Sequence, residues 1–245
     1  MDEINRFLSN FKKLESELVK LSSLNDDFIS FSRALSNVYQ RKINDVVSDE
    51  DNYEILKQAS DLRNILSHEN NVCIPTSSFN EKFEEIVDAI VNPLTCLDIA
   101  TLRKDLTFAS VDDKITSVCK LMNERGYSNV PVYDNGKVIG VFSRTTFFDY
   151  LYKKKNISII DNTINDLREE IIFSSHTAED FLFVSRKVKA YSLLNYFSKK
   201  RIGDKRISLI FVTENGKKDE FVLGVLTESD LLKIPLYKRK IQNKI

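Results

Sequence analysis

Two short strings of polar residues in this 245-residue chain have the types and spacing to do chemistry. In the first, Thr227 and Asp230 stand three residues apart in Gly224-Val-Leu-Thr-Glu-Ser-Asp230. A hydroxyl where a strand meets a helix can hydrogen bond phosphate oxygens, and the free N–H groups of the helix start favour anions. An aspartate one helical turn later can accept hydrogen bonds from both hydroxyls of a ribose. These residue types at this spacing therefore fit a nucleotide.

A structural role explains the same spacing. Thr227 can N-cap the helix that follows, with Asp230 as the reciprocal acidic partner of a capping box. The sequence leaves both interpretations open.

The second string is Asp61-Leu-Arg-Asn-Ile-Leu-Ser-His-Glu69, which contains Arg63 and His68 five residues apart. A histidine can take the proton of an RNA 2′-hydroxyl or protonate the leaving oxygen, while arginine stabilises charge on the phosphate. Five residues of a regular helix turn through about 500°, so Arg63 and His68 would lie roughly 140° apart. They converge only if the helix ends near Ser67, or if each of two chains completes the other's site. Alternatively, Asn64 and His68 are i,i+4 neighbours that simply hydrogen bond on one helix face.

The elements that carry the second string are helical. The first hundred residues contain no glycine, and apolar residues recur there at steps of three and four. The first such run consists of Ile4, Phe7, Phe11, Leu14, Leu18 and Leu21. The pattern repeats at 28–38, 55–66 and 79–90, and Pro93 cannot continue the last helix. Residues 1–92 are therefore predicted to form an antiparallel four-helix bundle.

From Pro93 onward, short strands alternate with helices, and the series occurs twice. Residues 95–99 match 163–167, the strand 129–133 matches 209–212, and the strand 138–143 matches 222–227. Asp134-Asn-Gly-Lys137 between two strands is typical of a hairpin turn. A helix is predicted after the last strand of each copy, near Thr145 and Ser229. Two ordered copies, each too small to bury its own sheet face, indicate an internal repeat.

The repeat resembles a tandem pair of cystathionine-β-synthase-type (CBS) domains, here at 93–157 and 158–245. The resemblance rests on the hairpin followed by Gly-hydrophobic-x-Ser/Thr-x-x-Asp, which 224–230 fits throughout. In the first copy, Gly140-Val-Phe-Ser-Arg-Thr-Thr146 keeps the hydroxyl of Ser143 but has Thr146 in place of the aspartate. With the helical bundle, this predicts an α+β fold.

The resemblance to CBS domains implies an adenine nucleotide ligand, namely AMP, ADP, ATP or a cyclic relative. It implies that Thr227 contacts phosphate and Asp230 contacts ribose, with Ser143 as the weaker counterpart. Arg144 adds a cation suited to bidentate phosphate contact. Because Thr146 replaces the aspartate, the first copy is expected to hold a degraded or phosphate-only site. His176 lies near where the family places base-contacting residues, although a loop histidine without such a role is the alternative.

The bundle with Leu62-Arg-Asn-x-x-x-His68 resembles the HEPN domain (higher eukaryotes and prokaryotes nucleotide-binding). That resemblance implies a metal-independent endoribonuclease in which two chains join Arg63, Asn64 and His68 at a shared cleft on RNA. It leaves a second class open, a non-catalytic CBS-domain dimer whose bundle only dimerises or docks a partner protein. Either class predicts a homodimer.

Composition narrows the remaining classes. The 36 basic and 36 acidic residues balance, so the chain lacks the basic field that supports non-specific nucleic-acid binding. Three cysteines without C-x-x-C spacing argue against a disulfide framework and a zinc site. No apolar run approaches the roughly 20 residues that span a bilayer. We therefore expect a cytoplasmic protein with no membrane contact, no metal and no required cofactor.

Overall fold

The computed structural model describes residues 2–68, 73–153, 161–198 and 205–242, and of His68 only the backbone. The chain divides into two compact units. One comprises Met1–Leu94 together with Ile234–Ile245, and the other comprises Thr95–Lys233. The segment from Ile234 onward, expected in the second CBS domain, thus groups with the N-terminal helices.

The N-terminal part of the helical unit contains the four expected helices. They are α1 (Glu3–Ser22), α2 (Phe31–Gln40), α3 (Glu50–His68) and α4 (Ser77–Val91). The side chains of Asp2, Ser30 and Thr76 cap α1, α2 and α4 by accepting backbone N–H groups of the first turn. The α4 helix ends just before Asn92-Pro93, as the proline requires.

Aromatic residues form the centre of this helical unit. The ring centroids of Phe11 and Phe31 lie 4.4 Å apart, and those of Phe7 and Phe83 lie 5.2 Å apart. All four side chains are buried, so α1, α2 and α4 share one core. The periodic apolar faces of α1, α2 and α4 meet there. Phe28, the first residue of the predicted run at 28–38, is the exception, because it precedes α2 and is 80% exposed.

The second unit begins with the first copy of the repeat, residues 95–153. Its elements are α5 (Cys96–Ile99), β1 (Thr101–Leu102), a 3₁₀ turn (Arg103–Asp105), β2 (Ala109–Ser110), α6 (Ile115–Arg125), β3 (Asn129–Asp134), β4 (Lys137–Ser143) and α7 (Arg144–Lys153). Strands β2, β3 and β4 form one sheet, parallel between β2 and β3 and antiparallel between β3 and β4. Asn135 and Gly136 have positive φ in the hairpin, as Asn-Gly predicts.

The second copy, residues 163–233, repeats this order. Its elements are a 3₁₀ turn (Ile164–Leu167), α8 (Arg168–Ile171), a 3₁₀ turn (Phe173–Ser175), β5 (Glu179–Ser185), a 3₁₀ turn (Ala190–Ser192), α9 (Leu193–Ser198), β6 (Arg206–Thr213), β7 (Gly224–Leu226) and a 3₁₀ turn (Glu228–Lys233). The helix expected near Ser229 is therefore a 3₁₀ turn.

The two copies share a sheet. Its strand order is β1-β7-β6-β5, so a strand of the first copy forms the edge of the second copy's sheet. Leu102 pairs with Gly224 across the antiparallel β1–β7 ladder. A Cβ at Gly224 would lie 3.0 Å from the Thr101 carbonyl oxygen, so the motif glycine permits this close approach.

The chain ends in α10 (Pro235–Gln242), which belongs to the helical unit. Lys240 Nζ lies 2.7 Å from Asp49 and 2.9 Å from Asp51. Arg239 pairs with Glu81 at 3.5 Å and with Glu85 at 3.3 Å. These ion pairs attach α10 to the start of α3, to the residue before it and to α4. Within the part of the chain that is described, no helix combines the length and apolarity needed to cross a membrane.

Candidate functional site

Thr227 and Asp230 meet at the end of β7. The Thr227 hydroxyl and backbone N–H both donate to Asp230 Oδ2, at 2.9 and 2.7 Å. Asp230 N donates back to the Thr227 carbonyl at 3.1 Å. The Asp230 side chain thus caps the Thr227 backbone N–H, which is one half of the capping box that was the structural alternative for this motif. The other half differs, because the Thr227 hydroxyl donates to Asp230 and does not accept from the Asp230 N–H.

The second oxygen of Asp230 has another partner. Its Oδ1 lies 2.7 Å from Lys233 Nζ, which also donates to the Ile99 carbonyl at 2.8 Å. Asp230 is 8% exposed, whereas the Lys233 side chain is 51% exposed. Asp230 is therefore buried and bonded through both carboxylate oxygens, while its cationic partner is half exposed to solvent.

A cavity of about 470 Å³ opens beside Thr227 and Asp230, between the two copies. Its lining consists of Thr101, Asp105, Leu106, Thr107, Gly126, Tyr127, Ser128, Asn129, Pro131, Leu209, Val225, Thr227, Ser229 and Asp230. This size suits a small organic ligand. Apolar side chains provide a surface for an apolar ring, and hydroxyls and two carboxylates provide hydrogen-bond partners.

Three backbone segments of the first copy build one side of this cavity. The first connects β1 to β2 and carries Asp105 and Thr107. The second follows α6, which ends at Gly126 with φ +70°, a left-handed conformation that glycine adopts at low cost. This second segment carries Tyr127 and Ser128. The third segment is the start of β3. These residues lie in connections without a motif and so could not be recognised from the sequence, although Gly126 marks the helix end.

The other predicted nucleotide contacts lie elsewhere. Arg144 is exposed and lines a separate depression on the first copy with Cys119, Met122, Asn123, Phe142, Phe147 and Phe148. Ser143 is fully buried and forms a reciprocal cap with Thr146. Ser143 N donates to Thr146 Oγ1 at 3.3 Å, and Thr146 N donates to Ser143 Oγ at 3.1 Å. The structure thus joins Thr227 with Asp230, and Ser143 with Thr146, but does not bring Arg144 to the cavity.

His176 is buried beside the first-copy motif. Its ring nitrogens lie 3.3 Å from Glu179 Oε2 and 3.3 Å from the Ile171 carbonyl oxygen. The Glu179 carboxylate also hydrogen bonds Ser208 at 3.4 Å and the Ser143 side chain. Burial acts to raise the pKa of Glu179, but the hydrogen bonds from His176, Ser143 and Ser208 outweigh burial and lower it. His176 does not line the cavity beside Asp230.

In the helical unit, α3 continues without a break from Arg63 through His68. The two Cα positions are therefore about 140° apart around the helix axis. The Arg63 side chain is half-buried, Asn64 is exposed, and Ser67 Oγ donates to the Arg63 carbonyl at 2.8 Å. The side chain of His68, like residues 69–72, lies outside the described part of the chain. Within that part, no cluster of three or more His, Cys, Asp or Glu residues is arranged to hold a metal ion.

Residues 98–153 match the family profile of the CBS domain. An uncharacterized protein of Methanocaldococcus jannaschii is 28% identical over 120 residues, which are 49% of this chain and 33% of that protein. The match thus spans about a third of the relative's length.

Solved structures of CBS-domain proteins resemble the fold. A hemolysin-like CBS-domain protein from Oenococcus oeni covers 58% of this chain and 90% of its own, at 19% identity and a TM-score of 0.40. The CBS domain of a bacterial CNNM/CorC family Mg²⁺ transporter, in complex with ATP, covers 64% of this chain and 96% of its own, at 19% identity and a TM-score of 0.43. The profile match falls on the copy that lacks the motif aspartate. Residues 98–153 of this chain are a CBS domain.

Proposed function

We propose that this chain is a nucleotide-sensing regulatory protein whose two repeat copies form a CBS pair and bind an adenine nucleotide. The observation that carries the proposal is the cavity of about 470 Å³ between the copies, lined by Thr227 and Asp230. Both residues were chosen from the motif alone, and they line one cavity with residues of the other copy.

The chemistry of the lining supports a nucleoside ligand. Asp230 Oδ1 faces Lys233, whose side chain is half exposed, so a ribose hydroxyl can replace or share this partner. Hydroxyls of Thr227, Ser229 and Ser128 provide donors and acceptors for phosphate or sugar oxygens. Apolar contacts from residues such as Leu106, Pro131 and Val225 suit a base.

Regulation of the helical unit follows from the chain's connectivity. The second unit is joined to the helical unit at both ends, at Leu94–Thr95 and at Lys233–Ile234. Lys233, the ion-pair partner of Asp230, directly precedes Ile234 and the helix α10. A ligand that binds Asp230 in place of Lys233 therefore acts next to one of the two connections. It shifts the equilibrium between the states with and without the Asp230–Lys233 ion pair by its difference in affinity for those two states.

Two outputs of the helical unit are proposed, as the resemblance to HEPN domains implied. In the first, the bundle is a metal-independent ribonuclease that uses Arg63, Asn64 and His68. The unbroken α3 favours a site completed by two chains over a site within one chain, because the two positions diverge on the helix. In the second, the bundle is an adapter that dimerises or docks a partner protein.

A homodimer is part of both proposals, since a shared cleft needs two chains. Light scattering at tens of micromolar should give twice the mass of the chain. A monomer at that concentration would exclude the two-chain ribonuclease site.

Calorimetry tests the proposed nucleotide site. AMP, ADP, ATP and cyclic dinucleotides are titrated into the wild type, the Asp230→Ala variant and the Glu228→Ala variant. Glu228 is an exposed acid in the same turn and does not line the cavity, so it controls for lost charge. Losing a charged hydrogen-bond acceptor should cost about 1.5–3 kcal/mol, roughly a ten- to hundredfold loss of affinity. Equal affinities in the three proteins, or no heat with any nucleotide, would contradict the site.

A further inference from the structure

The position in the first copy that corresponds to Thr227 and Asp230 is filled by the chain itself. Ser143 and Thr146 occupy the corresponding motif places, and both are buried, at 0% and 2% exposure. Their backbone N–H groups and hydroxyls bond one another, with 3.0 Å between the two hydroxyl oxygens. The Glu179 carboxylate lies near this motif, because it faces His176, whose ring also contacts the Ile171 carbonyl that packs on Gly140.

Glu179 enters from the second copy, at the first residue of β5. Its carboxylate is held by Ser208 and His176, which come from two different segments. A carboxylate and a phosphate present similar anionic oxygens to a hydroxyl donor. Glu179 thus places an anionic group of the chain itself beside the first-copy motif.

Further contacts hold this internal anion in place. The two ring nitrogens of His176 face the Glu179 carboxylate and the Ile171 carbonyl, each at 3.3 Å. Ile171 in turn packs on Gly140, where a Cβ would overlap its carbonyl group. Withdrawing a buried carboxylate from these partners would leave an uncompensated charge, which is costly.

We infer that the chain binds one nucleotide and not two, because Ser143 and Thr146 in the first copy are buried and bonded to each other beside the His176–Glu179 pair. The inference rests on the proposed nucleotide-binding function and adds its stoichiometry. A nucleotide phosphate at Ser143 would meet the like charge of Glu179. It would also find no aspartate for its ribose, because Thr146 stands there.

Equilibrium dialysis of the full-length chain against saturating labelled AMP, and separately ATP, tests the inference. The expected result is one nucleotide per chain, with a ten- to hundredfold weaker affinity in Asp230→Ala and an affinity within twofold of wild type in Ser143→Ala. The thermal unfolding of each variant is measured to confirm that it is folded.

The outcomes separate the two proposals. Two nucleotides per chain, or a loss in Ser143→Ala as large as in Asp230→Ala, would overturn the inference and leave nucleotide binding intact. The number of nucleotides bound per wild-type chain can be measured whether or not any variant is folded. No binding of either nucleotide to the wild type would overturn both the proposed function and the inference.

Discussion

Lys233 and Asp230 form an ion pair with a distance of 2.7 Å between Nζ and Oδ1. Lys233 is the last residue of the second unit. The other carboxylate oxygen already accepts two hydrogen bonds from Thr227. Asp230 thus connects the end of β7 to the residue that precedes Ile234 and α10. A ligand that hydrogen bonds Oδ1 competes with Lys233 for the same atom.

Removing Lys233 is therefore expected to strengthen nucleotide binding. The Lys233→Met variant keeps the apolar part of the side chain and leaves Asp230 Oδ1 without its cationic partner. Because half-exposed ion pairs contribute about 0–1 kcal/mol, the affinity for AMP should rise by up to about fivefold. Calorimetry on this variant and on Lys238→Met, a lysine of α10, measures the effect. A weaker affinity in Lys233→Met alone would show that Lys233 binds the nucleotide and does not compete with it.

The charge of the cavity predicts which nucleotide binds best. Among the described residues that line it, the charged side chains are those of Asp105 and Asp230, with no lysine or arginine. Each additional phosphate brings more negative charge towards these carboxylates. AMP should therefore bind more tightly than ATP, by roughly three- to tenfold at low ionic strength, and the difference should shrink as salt screens it.

Asp105→Asn is the matched variant for this prediction, because Asp105 is exposed and lines the cavity. This variant should reduce the difference between the affinities for AMP and ATP without abolishing nucleotide binding. Tighter binding of ATP than of AMP by the wild type would contradict this account of the cavity's charge.

Glu179 should make the stability of the protein sensitive to acid. Its pKa is lowered in the folded state because hydrogen bonds from His176, Ser143 and Ser208 outweigh burial. A carboxyl with a depressed folded pKa stabilises the protein above its unfolded pKa of about 4.3, and this contribution is lost as the pH falls through the folded value. At pH 7, Glu179→Gln should lower the free energy of unfolding by about 1–3 kcal/mol.

Urea unfolding of wild type and Glu179→Gln at several pH values between 7 and 3.5 checks this prediction. The difference between the two proteins should be constant near neutrality and decrease below about pH 4.3. A difference that stays constant down to pH 3.5 would mean that the Glu179 carboxylate is not held as described.

If the helical unit is a ribonuclease, it should cleave single-stranded RNA in EDTA. His68→Ala and Arg63→Ala should then each lower the rate by about 10²–10⁴, through loss of proton transfer and of charge stabilisation. Arg41→Ala, an exposed arginine of the same unit, should leave the rate unchanged. Undiminished cleavage in both variants would point to a contaminating nuclease, and no cleavage with or without nucleotide would favour the adapter.

The elements that follow local patterns could be predicted from the sequence. Asn-Gly in a tight turn fixes the β3–β4 hairpin, and the proline after Asn92 fixes the end of α4. The pairing of Thr227 with Asp230 also follows from local spacing, since three residues span a single turn.

The features that depend on distant contacts could not be predicted. The placement of α10 in the helical unit depends on ion pairs such as that between Lys240 and Asp49, which are 191 residues apart. Burial of His176 depends on Glu179 and on the Ile171 carbonyl, and a loop composition such as Ser-Ser-His-Thr gives no sign of it.

The most direct test of the nucleotide site is a crystal structure of the full chain grown with AMP. We expect density for AMP in the cavity between the copies, with a ribose hydroxyl within about 2.6–3.2 Å of Asp230 Oδ1 and Lys233 displaced from that oxygen. Density for AMP at another site, or an empty cavity at saturating AMP with the Asp230–Lys233 pair intact, would contradict it.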